Sequence, residues 1–227
     1  MAKQSLKSRV YDGIKEKIIN CEYSPGIYLN EEALCETFNV SRTPIRDALG
    51  RLEQEGLVTI KPKKGVVVSS LSISEVNNIF ELRLLLEPYS LQHYGYTLNE
   101  EALFQYYQLF SSNNELQNAS HFFVLDDQFH DFLNSAVTNH YIQENFKTLN
   151  TQNQRIRIMT GQRTERRLDE TQKEHLSILQ CCLKRDWDGA AQAMYHHLIQ
   201  SKNATFELLL GSSGFLYQMP SEPLPPS

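Results

Sequence analysis

Asp126 and His130 are the residues whose types and spacing most invite chemistry. They fall in VLDDQFHDFL, residues 124–133, and a helix through that segment sets them one turn apart on one side. Leu133 and Val137 continue the stripe, so the acid and the imidazole face a core where unpaired polar groups are costly. His175, in EHLSILQCCL, shares its face with Ile178, Leu179 and Cys182 and points inward too. Of the adjacent His196 and His197, His197 lies with Ala190, Ala193 and Met194, whereas His196 lies over Gly189 and Gln192. His197 is therefore the inward one. One carboxylate and three imidazoles on three inward faces suit a first-row divalent ion, with Zn, Ni, Mn and Fe all compatible, and suit Mg or Ca poorly. A buried Asp126–His130 ion pair among core-packed histidines explains the same residues, and periodicity leaves both readings open. Asp127 falls off the stripe and is expected to be solvated and dispensable. His93, His121 and His140, near helix ends or in polar surroundings, are expected to be solvated as well.

Six helices are needed to position these groups, near 74–96, 99–113, 119–137, 140–160, 164–184 and 187–209, all read from helical periodicity. The chain ahead of them has a different plan. Residues 5–22 place Leu6, Val10, Ile14 and Ile18 at helical spacing, and SPG at 24–26 ends that helix. Asn30 caps a second helix with Glu31 and Glu32 in its first turn. A third follows NVS, with Thr43 as cap, Pro44 at the first helical position and Gly56 as the stop. LVTI and VVVSS, joined by KPKKG, read as a hairpin. Helix, helix, turn, helix, hairpin is a winged helix-turn-helix. The expected fold is thus mainly α: a winged head over 1–70, an all-α six-helix body over 71–210, and a disordered tail over 211–227, where SSGFLYQMPSEPLPPS holds four prolines.

Charge divides along the same boundary. Residues 1–70 hold 11 Lys/Arg against 9 Asp/Glu, and residues 71–227 hold 11 against 18. A mildly basic head on an acidic body fits nucleic acid at the head. In a helix-turn-helix the second helix of the motif enters the major groove with its N-terminal end at the base edges. That end carries Ser41, Arg42, Thr43 and Arg46. Arginine grips guanine with two donors, and the helix start with Ser41 or Thr43 can take phosphate. Lys61, Lys63 and Lys64 put charge on the hairpin. Solvated charges on a protein-interaction module are the alternative. The arginine pair at this particular helix tip, followed by a basic wing, favours DNA. No apolar run of membrane-spanning length and no signal-peptide segment is found, and the four cysteines lack CxxC spacing. A cytoplasmic chain with reduced thiols is expected.

VSRTPIRDALGRLEQEGLV, preceded by LNEEALCETF and followed by a KKG wing, resembles the DNA-binding head of the GntR family of bacterial transcription regulators over about residues 8–70. The resemblance implies a homodimer on a pseudo-palindromic double-stranded operator, Arg42, Thr43 and Arg46 at bases or phosphates, and Gly65 at the wing tip. The body is similar to the FCD ligand-sensing domain through FELRLLLEP, DDQFH, EHLSIL and AMYHHL. That similarity implies a metal on Asp126, His130, His175 and His197, with open positions filled by a small carboxylate effector. It also implies effector contacts from Arg83 and Asn139. A salt bridge from Arg83 to Glu87 and a cap or turn role for Asn139 are the structural alternatives. The function expected is a transcription regulator, by preference a repressor, that responds to an organic acid. A sensor of the metal itself is the alternative. An enzyme is not expected, because no general base stands near the cluster and no GxSxG nucleophile motif occurs.

Overall fold

The computed structural model describes residues 5–112, 119–160 and 165–211. The expectation of a disordered tail over 211–227 lies, apart from the helical Gly211, outside the described residues. Contacts divide the chain after Ser70. One unit holds the residues up to Ser70 together with the stretch from Phe206, and the other holds Leu71–Thr205.

In the first unit, α1 (Leu6–Ile19) starts at Ser5, whose hydroxyl accepts from the Ser8 amide at 3.2 Å. Val10, Ile14 and Ile18 are buried as their spacing predicts, but Leu6 is 51% exposed: it sits in the first turn, ahead of the packed part of the stripe. α2 (Glu31–Phe38) is capped by Asn30, which accepts from the Glu32 and Ala33 amides, and it ends on the left-handed Asn39. α3 (Arg42–Gln54) begins two residues earlier than expected. Ser41 holds the cap position, so Thr43 is already helical and Pro44 is the third helical residue. Proline is still tolerated there, because amides of the first turn have no helical partner. Gly56 follows with φ +70°, as a helix stop requires.

The hairpin is β2 (Val58–Lys61) and β3 (Gly65–Val68), with Lys61 opposite Gly65. A two-residue strand, β1 (Tyr28–Leu29), joins it to give the antiparallel order β1-β3-β2. The head core is an apolar cluster centred on Ile14, Ile18, Ile45, Leu49, Leu52 and Val68.

The second unit is helical: α4 (Ile73–Tyr94), α5 (Glu100–Ser111), α6 (Ala119–Asn134), α7 (His140–Thr160), α8 (Glu165–Leu183) and α9 (Trp187–Gly211), whose end passes into the first unit. α5 packs on α8, α4 on α6 and α7, and α6 on α7 and α8. Phe110, Phe122, Phe129, Ile178, Leu179 and Met194 anchor the core. The Trp187 indole closes on Gly95, where a Cβ would stand 2.4 Å from it. The stripe from Asp126 through His130, Leu133 and Val137 is buried throughout.

Candidate metal centre and DNA-facing surface

The inward faces of three helices bring His130 (α6), His175 (α8) and His197 (α9) together, with one ring nitrogen of each within 4.8 Å of the others. All three are buried, and His196 is exposed. Asp126 joins them: its Oδ1 lies 3.4 Å from His175 Nε2 and 4.0 Å from His130 Nε2.

Two carboxylates orient the rings from behind. Glu87 Oε2 lies 2.7 Å from His130 Nδ1, and Glu174 Oε2 lies 2.7 Å from His197 Nδ1. A neutral imidazole that donates from Nδ1 keeps its lone pair on Nε2. Carboxylate–histidine pairs of this kind fix the ring and raise its basicity as a ligand. His175 is wedged among Phe110, Phe122 and Phe129, with ring centroids 4.8, 6.3 and 4.9 Å away. Neither of its nitrogens, nor Nε2 of His130, has a hydrogen-bond partner among the described residues. Each such orphan costs on the order of 1–3 kcal/mol. The donor set, three imidazoles and one carboxylate oxygen, fits a divalent first-row ion, and the orphaned nitrogens are the atoms such an ion would engage.

Protonation agrees with ligation. Burial pushes His175 well below the ordinary imidazole range, and the neighbouring His197 adds to the shift. Burial lowers His197 too, against the opposing pull of Glu174. Burial alone would raise Glu87, but Arg83 and His130 hold it down to about 2. Asp126 is likewise below the usual range, because Arg157 and the imidazoles outweigh its burial.

The signs give two stages of acid sensitivity. The unfolded chain takes up protons at His175 and His197 near pH 6.5, whereas the folded chain resists. Their contribution is therefore present above pH 6.5 and lost as pH falls below it. The Glu87 contribution is lost later, between about 4.5 and about 2. Chemical denaturation in EDTA should lose about 1–3 kcal/mol between pH 7.5 and 5.5, at up to about 1.4 kcal/mol per histidine per unit. A flat profile over that range would contradict the assignment of buried neutral imidazoles.

Arg83 makes the bond to Glu87, Nε to Oε1 at 2.6 Å, and also donates to Asn153 Oδ1 at 2.9 Å. It nevertheless lines the small cavity beside the imidazoles, about 30 Å³, together with Asp126, His130, Asn153, Arg157 and His197. Asn139 is not brought to this place. It is exposed at the start of α7, where its side chain accepts from the Tyr141 amide at 3.0 Å, a capping role. Asp127 is not simply solvated either: it accepts from Arg157 and, at 3.1 Å, from Gln154. Arg157 bridges Asp126 and Asp127.

Glu174 and Arg157 are site residues that sequence reasoning left without a role, and Glu87 was given only its bond to Arg83, not its bond to His130. For the two glutamates a signal existed: Glu87 stands one turn from Arg83, and Glu174 directly precedes His175. His93, His121 and His140 are exposed, as expected.

In the head, Ser41, Arg42, Thr43 and Arg46 are all exposed at one end of α3, and the wing from Lys61 to Gly65 is exposed as well. Lys63 (φ +62°) lies in the wing turn, and Gly65 (φ +103°) opens β3 directly after it. Arg42 pairs with Glu32 at 2.6 Å and Arg46 with Glu31 at 2.9 Å. These are exposed pairs, individually weak, so the arginines can be drawn off by a stronger acceptor. Among the described residues no helix is long and apolar enough to cross a membrane.

The model for "Bacterial regulatory proteins, gntR family" matches residues 6–68, and that for "FCD domain" matches residues 78–200. The transcriptional repressor RspR of Escherichia coli K12 is 28% identical over 198 residues, covering 86% of each chain. The Nta operon transcriptional regulator of Aminobacter aminovorans is 28% identical over 207 residues, covering 90% of this chain and 96% of its own. Among solved structures, a GntR regulator from Rhodococcus sp. RHA1 superposes with a TM-score of 0.74 at 18% identity, covering 92% of this chain and 99% of its own. Two family models in this order, one of them spanning over half the chain, together with the winged head and helical body, make the protein a member of the gntR family of bacterial regulatory proteins, a DNA-binding transcription regulator with an FCD domain.

Proposed function

We propose that the protein is a dimeric, cytoplasmic repressor whose operator affinity is set by a small carboxylate held at a divalent metal in the body. The carrying observation is the Asp126–His130–His175–His197 cluster, with two imidazoles anchored by carboxylates and three ring nitrogens left for a ligand. Those residues would hold the ion. When bound, it supplies a Lewis-acidic centre for a carboxylate oxygen. Arg83 adds a cation at the cavity wall. That the Escherichia coli relative is named a repressor supports repression here. The effector acts only through its preference for one arrangement of the two heads over another.

At the DNA, Arg42 and Arg46 are assigned to base edges, Ser41, Thr43 and the helix start to phosphate, and Lys63, Lys64 and Gly65 to the flanking groove. Arg42→Ala and Arg46→Ala should each weaken binding to the operator by about 1–3 kcal/mol and relax sequence preference. Lys63→Ala should weaken it evenly across sequences and flatten its salt dependence. A mobility-shift series in which the arginine variants match wild type on operator and on unrelated DNA would refute that assignment.

Metal content of purified protein, followed by DNA titrations against metal and then against carboxylates at saturating metal, tests the sensor half. A chain that takes up no metal would end it. A response to metal with none to any carboxylate would establish the second reading, a sensor of the ion itself. The ion-sized cavity favours that reading.

A further inference from the structure

α7 turns a polar row, Asn150, Asn153, Gln154 and Arg157, toward α6 and α4. The spacing keeps the four on one helical face, and each has a partner there: Asp131, Arg83, Asp127 and the Asp126–Asp127 pair respectively. Arg157 ends the row and is the member that touches the metal-binding carboxylate. It splits Asp126 by function. One oxygen, Oδ1, faces the imidazoles, and the other, Oδ2, accepts from Arg157 Nη1. A metal ion and a buried guanidinium thus draw on the same carboxylate, and two cations this close repel.

The second grip of Arg157 is the weaker hold. Asp127 is 22% exposed at its side chain, whereas Asp126 is 10% exposed. If Arg157 releases Asp127, that acid keeps Gln154 and gains water, so the exchange costs little. Arg83 has no such freedom, since its partner Glu87 is 2% exposed and holds His130 as well. The cavity is small, about 30 Å³, room for a water or two. Arg157 lines it, and once it lets go of Asp127 its Nε and Nη2 N–H groups present a planar donor pair that matches a carboxylate.

We infer that Arg157 couples metal and carboxylate binding by exchanging Asp127 for the carboxylate while keeping Asp126, so that each ligand tightens the other. This rests on the metal-and-carboxylate reading above. The coupling is reciprocal by linkage.

The test measures Zn²⁺ affinity of the full chain by competition with a chromogenic chelator, without and with acetate, against a protein-free blank. Wild type should bind Zn²⁺ about tenfold more tightly with acetate, within the usual range for coupled sites. Arg157→Gln should bind Zn²⁺ more tightly than wild type without acetate, and acetate should change its affinity by less than about twofold. Arg157→Lys keeps the charge and loses the two-pronged grip. It serves if the glutamine variant fails to fold, with an acetate effect expected near threefold. A wild-type protein that binds Zn²⁺ with no acetate effect would overturn the coupling and leave the metal site standing. A full acetate effect in either variant would overturn the role of Arg157. Absence of Zn²⁺ binding in wild type would overturn the metal reading itself, and the coupling with it.

Discussion

Replacing Glu87 by alanine should destabilise the helical body by about 3–5 kcal/mol, the cost of breaking a buried ionic group from one side. Glu87 is 2% exposed and accepts from Arg83 Nε at 2.6 Å and from His130 Nδ1 at 2.7 Å. Its loss strands a guanidinium and an imidazole in a place without water. Arg83 keeps one bond, to Asn153, and His130 keeps none of comparable length among the described residues. Glu87→Gln preserves shape and one acceptor, so it should lose less. Urea denaturation followed by helical circular dichroism in EDTA measures both. The same variants should bind metal about 10–100-fold more weakly, because His130 is no longer oriented. A Glu87→Ala protein within about 1 kcal/mol of wild type would mean that the carboxylate is not the keystone described here.

The second large effect runs in opposite directions for stability and binding. His175 is fully buried among three phenyl rings, and neither of its nitrogens has a hydrogen-bond partner among the described residues. A fold selected only for stability would put an apolar side chain there. His175→Leu should therefore raise stability in EDTA by about 1–2 kcal/mol, or roughly 2–8 °C in melting temperature, while abolishing metal uptake. Wild type should gain about 4 kcal/mol when metal is a thousandfold above its dissociation constant, and the variant should gain nothing. Asp126→Ala should likewise lose the metal. Asp127→Ala should keep it, because Asp127 touches Arg157 and Gln154 and none of the imidazoles. A His175→Leu protein less stable than wild type in EDTA would show that the imidazole is a structural element in its own right.

How much of this could be read in advance follows from the range of each interaction. Helical periodicity is local, and it located all six body helices to within a few residues. It also chose His197 over His196, because face is a property of one helix at a time. β1 escaped notice because two residues carry no pattern and owe their pairing to β3. The cap position of α3 fell on Ser41 rather than Thr43, and Ser41 makes no side-chain cap bond there, so capping chemistry did not decide the start. The site shows the same limit more sharply. Arg83–Glu87 was legible at i,i+4 spacing. The other half of Glu87, its bond to His130 43 positions away, was not. Glu174 behind His197 and Arg157 across Asp126 are likewise contacts between helices. Asn139 shows the opposite error, a residue drawn into the site by pattern that the fold uses as a cap.

The spread of the ligand set along the chain has a consequence for assembly. Asp126 and His130 are synthesised first, His175 later and His197 last, within α9. Until α9 has docked, a partly made chain offers an ion at most Asp126, His130 and His175, and lacks His197. On the proposed metal reading, the full ligand set closes only when α9 docks, so complete capture of an ion would come late in folding and would mark a finished bundle. On the same reading, a copy that never docks α9 would hold metal poorly.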